Sequence, residues 1–471
     1  MKKFNNISVL MCLAFMLLLS PAAATHHKLS LEECKQLVLE NNKTIAAVQE
    51  EADAAKCNKN SVFTNFLPQV KAIGNYTHLH QEVEYDLNDT FTDLLNGMQE
   101  FSNFAGLGVE NDIFYQTLSA MYANGLLDES LALQLLPKDN YAISVVLSQP
   151  VFTGGKIIEQ YRISNSQEKI SQAQQVLTRQ EVLQRTEELY WQTVSLKEKV
   201  ELANQYKTTV NVHWQDLKNL EAEGIITKSD LLRVEVMYNK AELQLQRAQN
   251  GLTLVKLALK QVIGLPLNEE LEISDDRIEN DSSWENSSES GDRPELLMLQ
   301  QGINISKSLK RINLARYCPN IMFNAGYNWL NPNPYDNFTE EFGEDWSVGV
   351  SFEMDIFGWN KRGFDYRASK HLQRAAEKRY QETEEMIDLE IEQCKFKVAE
   401  SRTRINMCKK NYAKADENLK ETTNRNHEGL VSSSDVLDAQ VLWQEAYSSL
   451  IDAKSEFKIE QVSLKKAMGI L

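Results

Sequence analysis

The sequence is poor in the residues that interrupt helices. Its 471 residues include 9 prolines and 19 glycines, and two long runs, 156–222 and 364–427, contain neither. Proline removes a helical hydrogen bond and glycine lowers helix stability, so runs without them are free to form continuous helices. At about 1.5 Å of rise per residue, each run corresponds to roughly 100 Å of helix. Helices of that length are far above the usual globular range.

Basic residues are outnumbered by acidic ones, 50 to 67, and long apolar runs are scarce. The formal net charge is −17, which argues against nucleic acid as a partner, because phosphate binding requires a basic surface. No segment after the N-terminus reaches the roughly 18 apolar residues of a membrane helix. The N-terminus has two lysines, a shorter apolar run at Val9–Leu19 and then three alanines. This pattern is typical of a signal peptide, which we place at 1–24.

The residue clusters that mark enzymes and metal proteins are missing as well. Five cysteines follow residue 24, and an odd number cannot all pair. No cysteine and histidine cluster has the spacing of a zinc site. The sequence has no nucleophile elbow, HExxH motif or phosphate-binding loop. We therefore expect a protein that is not an enzyme and that uses no metal and no cofactor.

What the sequence does contain is an internal duplication. The stretch EGIITKSDLL, residues 223–232, recurs as EGLVSSSDVL at 428–437, at an offset of 205 residues. The match continues at the same offset across 141–265 and 346–470 without a gap. A repeat of this length predicts one structural unit present in two copies.

The duplication also sets the domain boundaries. Upstream of the gap-free match, FLPQVKAIGNY at 66–76 corresponds to YCPNIMFNAGY at 317–327. We therefore assign a first structural repeat to 25–264 and a second to 294–471. The linker between them is 265–293.

Each repeat contains two candidate strands. Apolar and polar side chains alternate along about 141–152, 319–330 and 346–357, and less regularly along about 67–82. In the first repeat the two strands are separated by an insertion at about 83–140. Strands of about ten residues can cross a bilayer in a tilted barrel. One face of a soluble β-sandwich would show the same alternation, so the pattern alone leaves both open.

A helical hairpin follows each strand pair, at 153–264 and 358–471. In the second helix of the first hairpin, ten positions at three- and four-residue spacing from Leu231 to Val262 are all apolar. The equivalent series in the second hairpin has one exception, Glu460. This spacing predicts helices packed along one another as a coiled coil.

The two hairpin turns share one pattern. Gly224 and Gly429 stand where the helix must reverse, because glycine accepts positive φ. A hydroxyl residue and then an aspartate follow each glycine, Thr227 with Asp230 and Ser432 with Asp435. This spacing predicts a capping box at the start of the second helix, and capping is the stronger interpretation of these aspartates.

Each turn also carries two apolar residues that capping does not explain. Ile225 and Ile226 follow the first glycine, and Leu430 and Val431 follow the second, at the tips of the hairpins. Solvation alone would favour polar side chains there. We therefore expect the tips to contact a partner surface.

In their order and spacing these features resemble the outer-membrane efflux protein (TolC) family. The resemblance covers nearly all of the chain after residue 24. It includes LSLEECKQLVLENN at 29–42, QPVFTGGK at 149–156, both turn sequences and the duplication. It implies a mainly α fold with β-strands, in which a homotrimer forms a twelve-stranded outer-membrane β-barrel that continues as a periplasmic α-helical barrel.

The resemblance implies a function and partners. The chain would be the outer-membrane exit duct of a tripartite efflux or type I secretion system and would conduct substrates passively. Its partners would be a periplasmic adaptor (a membrane fusion protein) and an inner-membrane pump of RND or ABC type. The adaptor contacts would be Gly224, Ile225, Gly429 and Leu430. A heptad-based structural or adhesin-like envelope protein without transport activity is the alternative.

The family's entrance aspartates correspond to Asp435 and Asp438. Asp435 has the capping role described above, whereas Asp438 corresponds to Arg233 in the first repeat. Asp438 is therefore the sharper candidate for a ring of carboxylates at a pore constriction, and a solvated surface carboxylate is the other interpretation. The best-known member closes its entrance with an arginine and a tyrosine. Val431 and Asn426 stand at those positions here, so the resemblance does not explain how the entrance is held closed.

Overall fold

The computed structural model describes residues 27–80, 83–85, 100, 133–278, 291–336 and 339–471. The predicted signal peptide, most of the predicted insertion and part of the predicted linker lie outside these residues. The described part of the chain is mainly helical, with short strands.

The first repeat begins with helices that the strand and hairpin patterns did not predict. Its elements are β1 (His27–Leu29), α1 (Leu31–Asn41), α2 (Lys43–Phe63), a 3-10 turn (Thr64–Phe66), β2 (Gln69–His78), β3 (Val83–Tyr85), β4 (Leu133–Leu136), β5 (Asp139–Phe152), α3 (Lys156–Ala222) and α4 (Lys228–Ile263). The start of α1 is fixed by Ser30, whose hydroxyl accepts a hydrogen bond from the backbone N–H of Glu33 in a capping box.

The second repeat has the same order of its main elements. The linker before it contains β6 (Leu271–Ile273), and the repeat itself contains α5 (Pro294–Ala315), β7 (Asn320–Asn331), β8 (Gly343–Glu353), α6 (Lys361–His427) and α7 (Ser433–Ala467). The helices α3 and α6 are both 67 residues long. Since α5 precedes β7 as α2 precedes β2, each copy consists of a helix, two main strands and a helical hairpin.

The chain divides into two compact units. The first unit contains the described residues of 1–53, 169–300 and 378–471. In it, α1 and the parallel strand pair β1–β6 pack on α3 and α4 around a buried core. The core residues are Leu29, Cys34, Val38, Leu189, Tyr190, Val194, Leu259, Ile263, Leu271, Ile273 and Ile278.

The two hairpins lie side by side within this unit. Lys207 of α3 forms an ion pair with Glu242 of α4, while the Tyr447 hydroxyl of α7 donates to Glu198 of α3 at 2.7 Å. A further buried cluster joins α6 to α7. The helix order is therefore α4, α3, α7, α6. The ten apolar positions along α4 are all at least partly buried, which confirms the predicted helix packing.

The second unit contains the described residues of 54–168 and 301–377. Its main sheet is antiparallel with the order β2-β5-β7-β8, and β3 and β4 form a separate pair. The two repeats meet where β5 pairs with β7, for example through Val145 opposite Tyr327. The sheet therefore needs both copies of the duplicated unit.

The last strand begins and ends earlier than the predicted 346–357. Glu353 pairs with Asn320, which is the first residue of β7. The residue before it is Pro319, which has no backbone N–H to extend the ladder. The chain after Glu353 therefore leaves the sheet and turns towards α6.

Candidate functional site

The two hairpin tips have the same backbone geometry. Gly224 and Gly429 have φ of 74° and 73°. In the first tip the N–H of Gly224 donates to Glu221 and that of Ile225 donates to Leu220, both at 2.9 Å. The second tip repeats this pair of bonds at 2.9 and 2.8 Å. This is a Schellman motif, which ends a helix on a left-handed residue.

A capping box starts the second helix of each hairpin. The Thr227 hydroxyl accepts from the N–H of Asp230 and donates to its carboxylate, the latter at 2.7 Å. Ser432 and Asp435 make the same contacts, and the Ser432 N–H also donates to the carboxylate at 2.8 Å. Each turn therefore satisfies backbone groups that a helix end leaves open.

The Asp435 carboxylate is held by this cap. Hydrogen bonds from the Ser432 hydroxyl and backbone lower the pKa of Asp435, and the nearby positive charge of Arg233 contributes. A group whose pKa is lowered on folding stabilises the fold above its ordinary pKa and loses that effect as the pH falls through the lowered value. The cap is therefore fully formed at neutral pH.

The Asp438 carboxylate has no such engagement. Its side chain is exposed one turn further along α7, and among the described residues it makes no hydrogen bond or ion pair. Burial raises the pKa of the Tyr206 phenol on α3, and the negative charge of nearby Asp438 raises that pKa further. Of the two candidate aspartates, Asp438 is therefore the less engaged, since Oδ2 of Asp435 accepts the hydrogen bonds of the cap.

The apolar tip residues are uncovered. Ile225 is 63% exposed and Leu430 is 64% exposed. In a Schellman motif the apolar residue after the glycine often packs back on its own helix. These exposed fractions show that such packing leaves most of both side chains in solvent, so the tips offer apolar surface to a partner.

A hydrogen bond that the sequence did not predict crosses the second turn. The Asn426 side-chain amide donates to the Val431 carbonyl oxygen at 2.8 Å. Asn426 and Val431 stand at the two positions where the best-known member of the family that the chain resembles has the tyrosine and arginine that close its entrance. The first turn has Glu221 and Ile226 at the equivalent positions. The Asn426 amide therefore stabilises the second turn. The only sequence signal for this bond is an asparagine five residues before the residue whose carbonyl accepts it.

The sheet of the second unit has one apolar and one mixed face, because directly paired residues point to the same side. The apolar face carries Val70, Ala72, Tyr76, Tyr141, Ile143, Val145, Leu147, Phe323, Ala325, Tyr327, Trp329, Trp346, Val348, Val350 and Phe352. The opposite face is mixed, with polar Lys71, Asn75, Asn140, Ser144, Ser148, Asn324, Asn328, Ser347 and Ser351 beside apolar Ile73, Ala142, Val146, Met322 and Leu330. Such a sheet can separate an apolar from an aqueous environment.

Metal ions and disulfides each require particular arrangements of side chains. No group of three or more His, Cys, Asp or Glu side chains in this part of the chain could hold a metal ion. Cys34, Cys57, Cys318, Cys394 and Cys408 are all free. Of the helices described, none is long and apolar enough to cross a bilayer.

Removing the Ser432 hydroxyl should loosen the start of α7. Loss of an N-cap costs about 1 kcal/mol, which corresponds to roughly fivefold faster local opening. We expect Ser432→Ala to increase hydrogen exchange at the amides of Asp435 and Val436 by about this factor. The matched control is Ser433→Ala, which lies one residue inside the helix and should change little. Equal exchange in both variants would mean that the cap does not hold the turn.

The family comparison agrees with the duplication. A family model described as Outer membrane efflux protein matches residues 35–265 and 287–470. The two matched segments correspond closely to the two repeats. No curated protein sequence matches the chain significantly.

Several solved structures are similar over nearly the whole chain. A membrane protein from Pseudomonas aeruginosa has a TM-score of 0.73 at 14% identity, covering 93% of both chains. The Campylobacter jejuni CmeC outer membrane channel has a TM-score of 0.71 at 15% identity, covering 93% of this chain and 85% of its own. The outer membrane protein VceC from Vibrio cholerae has a TM-score of 0.71 at 14% identity, and the match covers 93% of this chain and 96% of VceC. These similarities confirm the predicted fold class.

Proposed function

Because the chain belongs to the outer membrane efflux protein family, we propose that three copies of it assemble into one duct that works with a periplasmic adaptor and an inner-membrane pump. The chain is an outer-membrane exit duct for efflux systems, with a helical domain in the periplasm. Family membership does not favour the adhesin-like alternative. Conduction through the duct is passive in this proposal, and the pump supplies the energy.

The edge strands of the four-stranded sheet support the proposed trimer. The sheet has four strands, and within the described residues β2 and β8 pair with strands on one side only. An unpaired strand edge leaves backbone groups unsatisfied in lipid, so membrane sheets must close. Four strands are too few for a barrel, since about eight are needed to enclose a filled interior. Three copies would supply twelve strands and pair β8 of each chain with β2 of the next.

The helical unit has matching free edges. The outermost helices, α4 and α6, each leave large apolar side chains in solvent. On α4 these are Leu232, Val236, Leu243 and Leu254, and on α6 they are Met386, Leu389, Phe396 and Met407. Both sets recur at helical spacing, as expected for a helix that packs on another helix. Packing α6 of one copy on α4 of the next would bury both sets.

Closure in this way gives each candidate site a role. The tips of the hairpins would face the adaptor through Gly224, Ile225, Gly429 and Leu430. Three Asp438 carboxylates would form a ring at the narrow end of the duct, with the capping Asp435 beside them. Asn426 would hold the second tip in shape.

Conductance tests the duct directly. The purified protein, reconstituted in a planar bilayer, should give discrete current steps. A preparation that inserts but passes no current would contradict the duct and favour a structural envelope protein.

Charge at the tips should weaken binding of the adaptor. We expect Ile225→Asp and Leu430→Asp each to reduce affinity for the purified partner adaptor at least tenfold. Full burial of such a side chain is worth about 1.5–3 kcal/mol, and a carboxylate would have to be desolvated in its place. Leu430→Met, which keeps the apolar volume, is the matched control. Unchanged affinity in both aspartate variants would show that the adaptor binds elsewhere.

A further inference from the structure

The turn from β8 to α6 contains a backbone outlier. Trp359 and Asn360 have φ of 50° and 59°, and in the described part of the chain they are the only non-glycine residues with positive φ. Asparagine tolerates this conformation, whereas a bulky side chain rarely adopts it. An observed outlier of this kind points to a use for the side chain.

The duplication provides an internal reference for this turn. At the equivalent place the first repeat has Gly154 and Gly155, with φ of 62° and 87°. Both copies therefore need the left-handed turn, and glycine makes it without strain. A Cβ on Gly154 would lie 2.7 Å from the Ala315 carbonyl oxygen, so only glycine fits there. In the second repeat the same turn has space and carries Trp359 instead.

Packing within the chain does not account for the tryptophan. Trp359 is 86% exposed, and its neighbours Ile356 and Phe357 are 86% and 73% exposed. The rings of Phe357 and Trp359 contact each other edge to face, with centroids 5.1 Å apart. The turn thus presents an apolar surface that nothing in the described chain covers.

The backbone beneath this surface is held in place. The Arg362 guanidinium donates to the carbonyl oxygens of Asp355 and Arg316 at 2.8 and 3.2 Å. The same guanidinium lies over the Tyr317 ring, 4.8 Å from its centroid. These contacts tie the turn to the end of α5 and give the exposed rings a fixed platform.

The position of the turn fits one boundary of a membrane. Trp346, Val348, Val350 and Phe352 form the exposed apolar side of β8. Seven residue steps separate Trp346 from Glu353, the last residue of β8. At about 3.3 Å per step and a tilt of about 40°, this distance spans roughly 18 Å of height, so the exposed turn after Glu353 would lie towards the edge of an apolar band of about 25 Å. Trp346 would then mark one interface and Phe357 with Trp359 the other.

Cationic groups border the apolar surface on its helical side. Asp365 neutralises part of this charge through Arg316 at 2.8 Å and Lys361 at 3.2 Å. Arg362 and Arg367 have no carboxylate within salt-bridge distance among the described residues. Aromatic side chains and unpaired cations together match the glycerol and phosphate region of a phospholipid leaflet.

We propose that the segment from Met354 to Arg367 binds the phospholipid headgroup region of the periplasmic leaflet. Phe357 and Trp359 lie among the glycerol backbones, and exposed Arg367 contacts lipid phosphates. Arg362, which donates to backbone carbonyls, adds positive charge beneath them. The leaflet is the periplasmic one because the segment leads into the long helix α6. This inference rests on the outer-membrane duct described above. A second copy of the chain is the competing occupant, since β2 of a neighbour would begin beside this turn.

Fluorescence quenching of the full-length protein tests the proposal. The protein is reconstituted in phosphatidylethanolamine and phosphatidylglycerol vesicles that carry a nitroxide on the headgroup or bromines deep in the acyl chains. The signal of Trp359 is the difference between wild type and Trp359→Phe. We expect the headgroup nitroxide to remove most of this signal and deep bromines to remove little. Asn360→Gly relieves backbone strain without removing a ring and should not change the quenching.

Quenching of Trp346 fluorescence distinguishes failure of the proposed lipid site from failure of the outer-membrane duct. Its signal, taken from Trp346→Phe, should also be quenched by lipid because the side chain lies on the apolar face of β8. If Trp346 is quenched by lipid and Trp359 only by aqueous iodide, the lipid site is wrong. If Trp359 is shielded from both quenchers, a second copy covers the turn and the proposal is also wrong. If lipid quenches neither residue, the sheet is not in the membrane and the duct fails with it.

Discussion

Replacing Val350 with arginine should prevent the chain from assembling in the outer membrane. Val350 lies near the middle of β8, is 67% exposed and belongs to the apolar face of the sheet. An arginine on the lipid face near the bilayer midplane costs about 2–4 kcal/mol. A trimer would carry this cost in every copy, so we expect little or no assembled protein.

The neighbouring glycine provides a matched control for this prediction. Gly349 lies on the opposite face, and a Cβ there would meet no atom within 4 Å. Gly349→Arg therefore introduces the same charge one residue away but towards the aqueous side, and should assemble normally. The amount of trimer in detergent-extracted outer membranes measures both variants. Equal assembly of Val350→Arg and Gly349→Arg would show that this face does not contact lipid.

Removing the Asp438 carboxylate should abolish most of the block of the channel by multivalent cations. Two charges about 4 Å apart interact by about 1 kcal/mol even in water, and three carboxylates acting on a trivalent cation multiply this term. We expect hexaamminecobalt(III), added on the periplasmic side, to block Asp438→Ala at least tenfold more weakly than wild type. Single-channel current at several cobalt concentrations gives the blocking constant of each.

Two aspartates serve as controls for the block. Asp230→Asn changes the equivalent cap on the first hairpin and should leave the blocking constant unchanged. Asp435→Asn keeps a side chain that can accept the Ser432 hydrogen bonds, and should weaken the block less than Asp438→Ala does. If wild type and Asp438→Ala are blocked equally, Asp438 is not part of the constriction.

Local periodicity allowed the long helices and the sheet to be predicted. The apolar series along α4 and the alternation along β7 and β8 repeat many times, and each repeat adds to the same signal. The duplication strengthened both, because a weak pattern in one copy could be checked against the other. The left-handed glycines and the capping residues followed from local chemistry at the two turns.

Other features could not be predicted because they depend on distant contacts. The helices α1, α2 and α5 are shorter than the hairpin helices, so their patterns repeat fewer times, although the Ser30–Glu33 capping box was a signal for the first of them. The end of β8 is set by Pro319, the residue before the neighbouring strand β7, rather than by its own sequence. Asn426 is unremarkable in sequence, and its role depends on the turn that brings the Val431 carbonyl within reach.

The oligomeric state of the purified mature protein tests most directly whether three duplicated chains share one barrel. Native mass spectrometry in detergent should show a trimer, and without detergent the protein should not remain dispersed. A stable monomer in detergent-free buffer would contradict the shared barrel, since a single chain would then satisfy both edges of its four-stranded sheet.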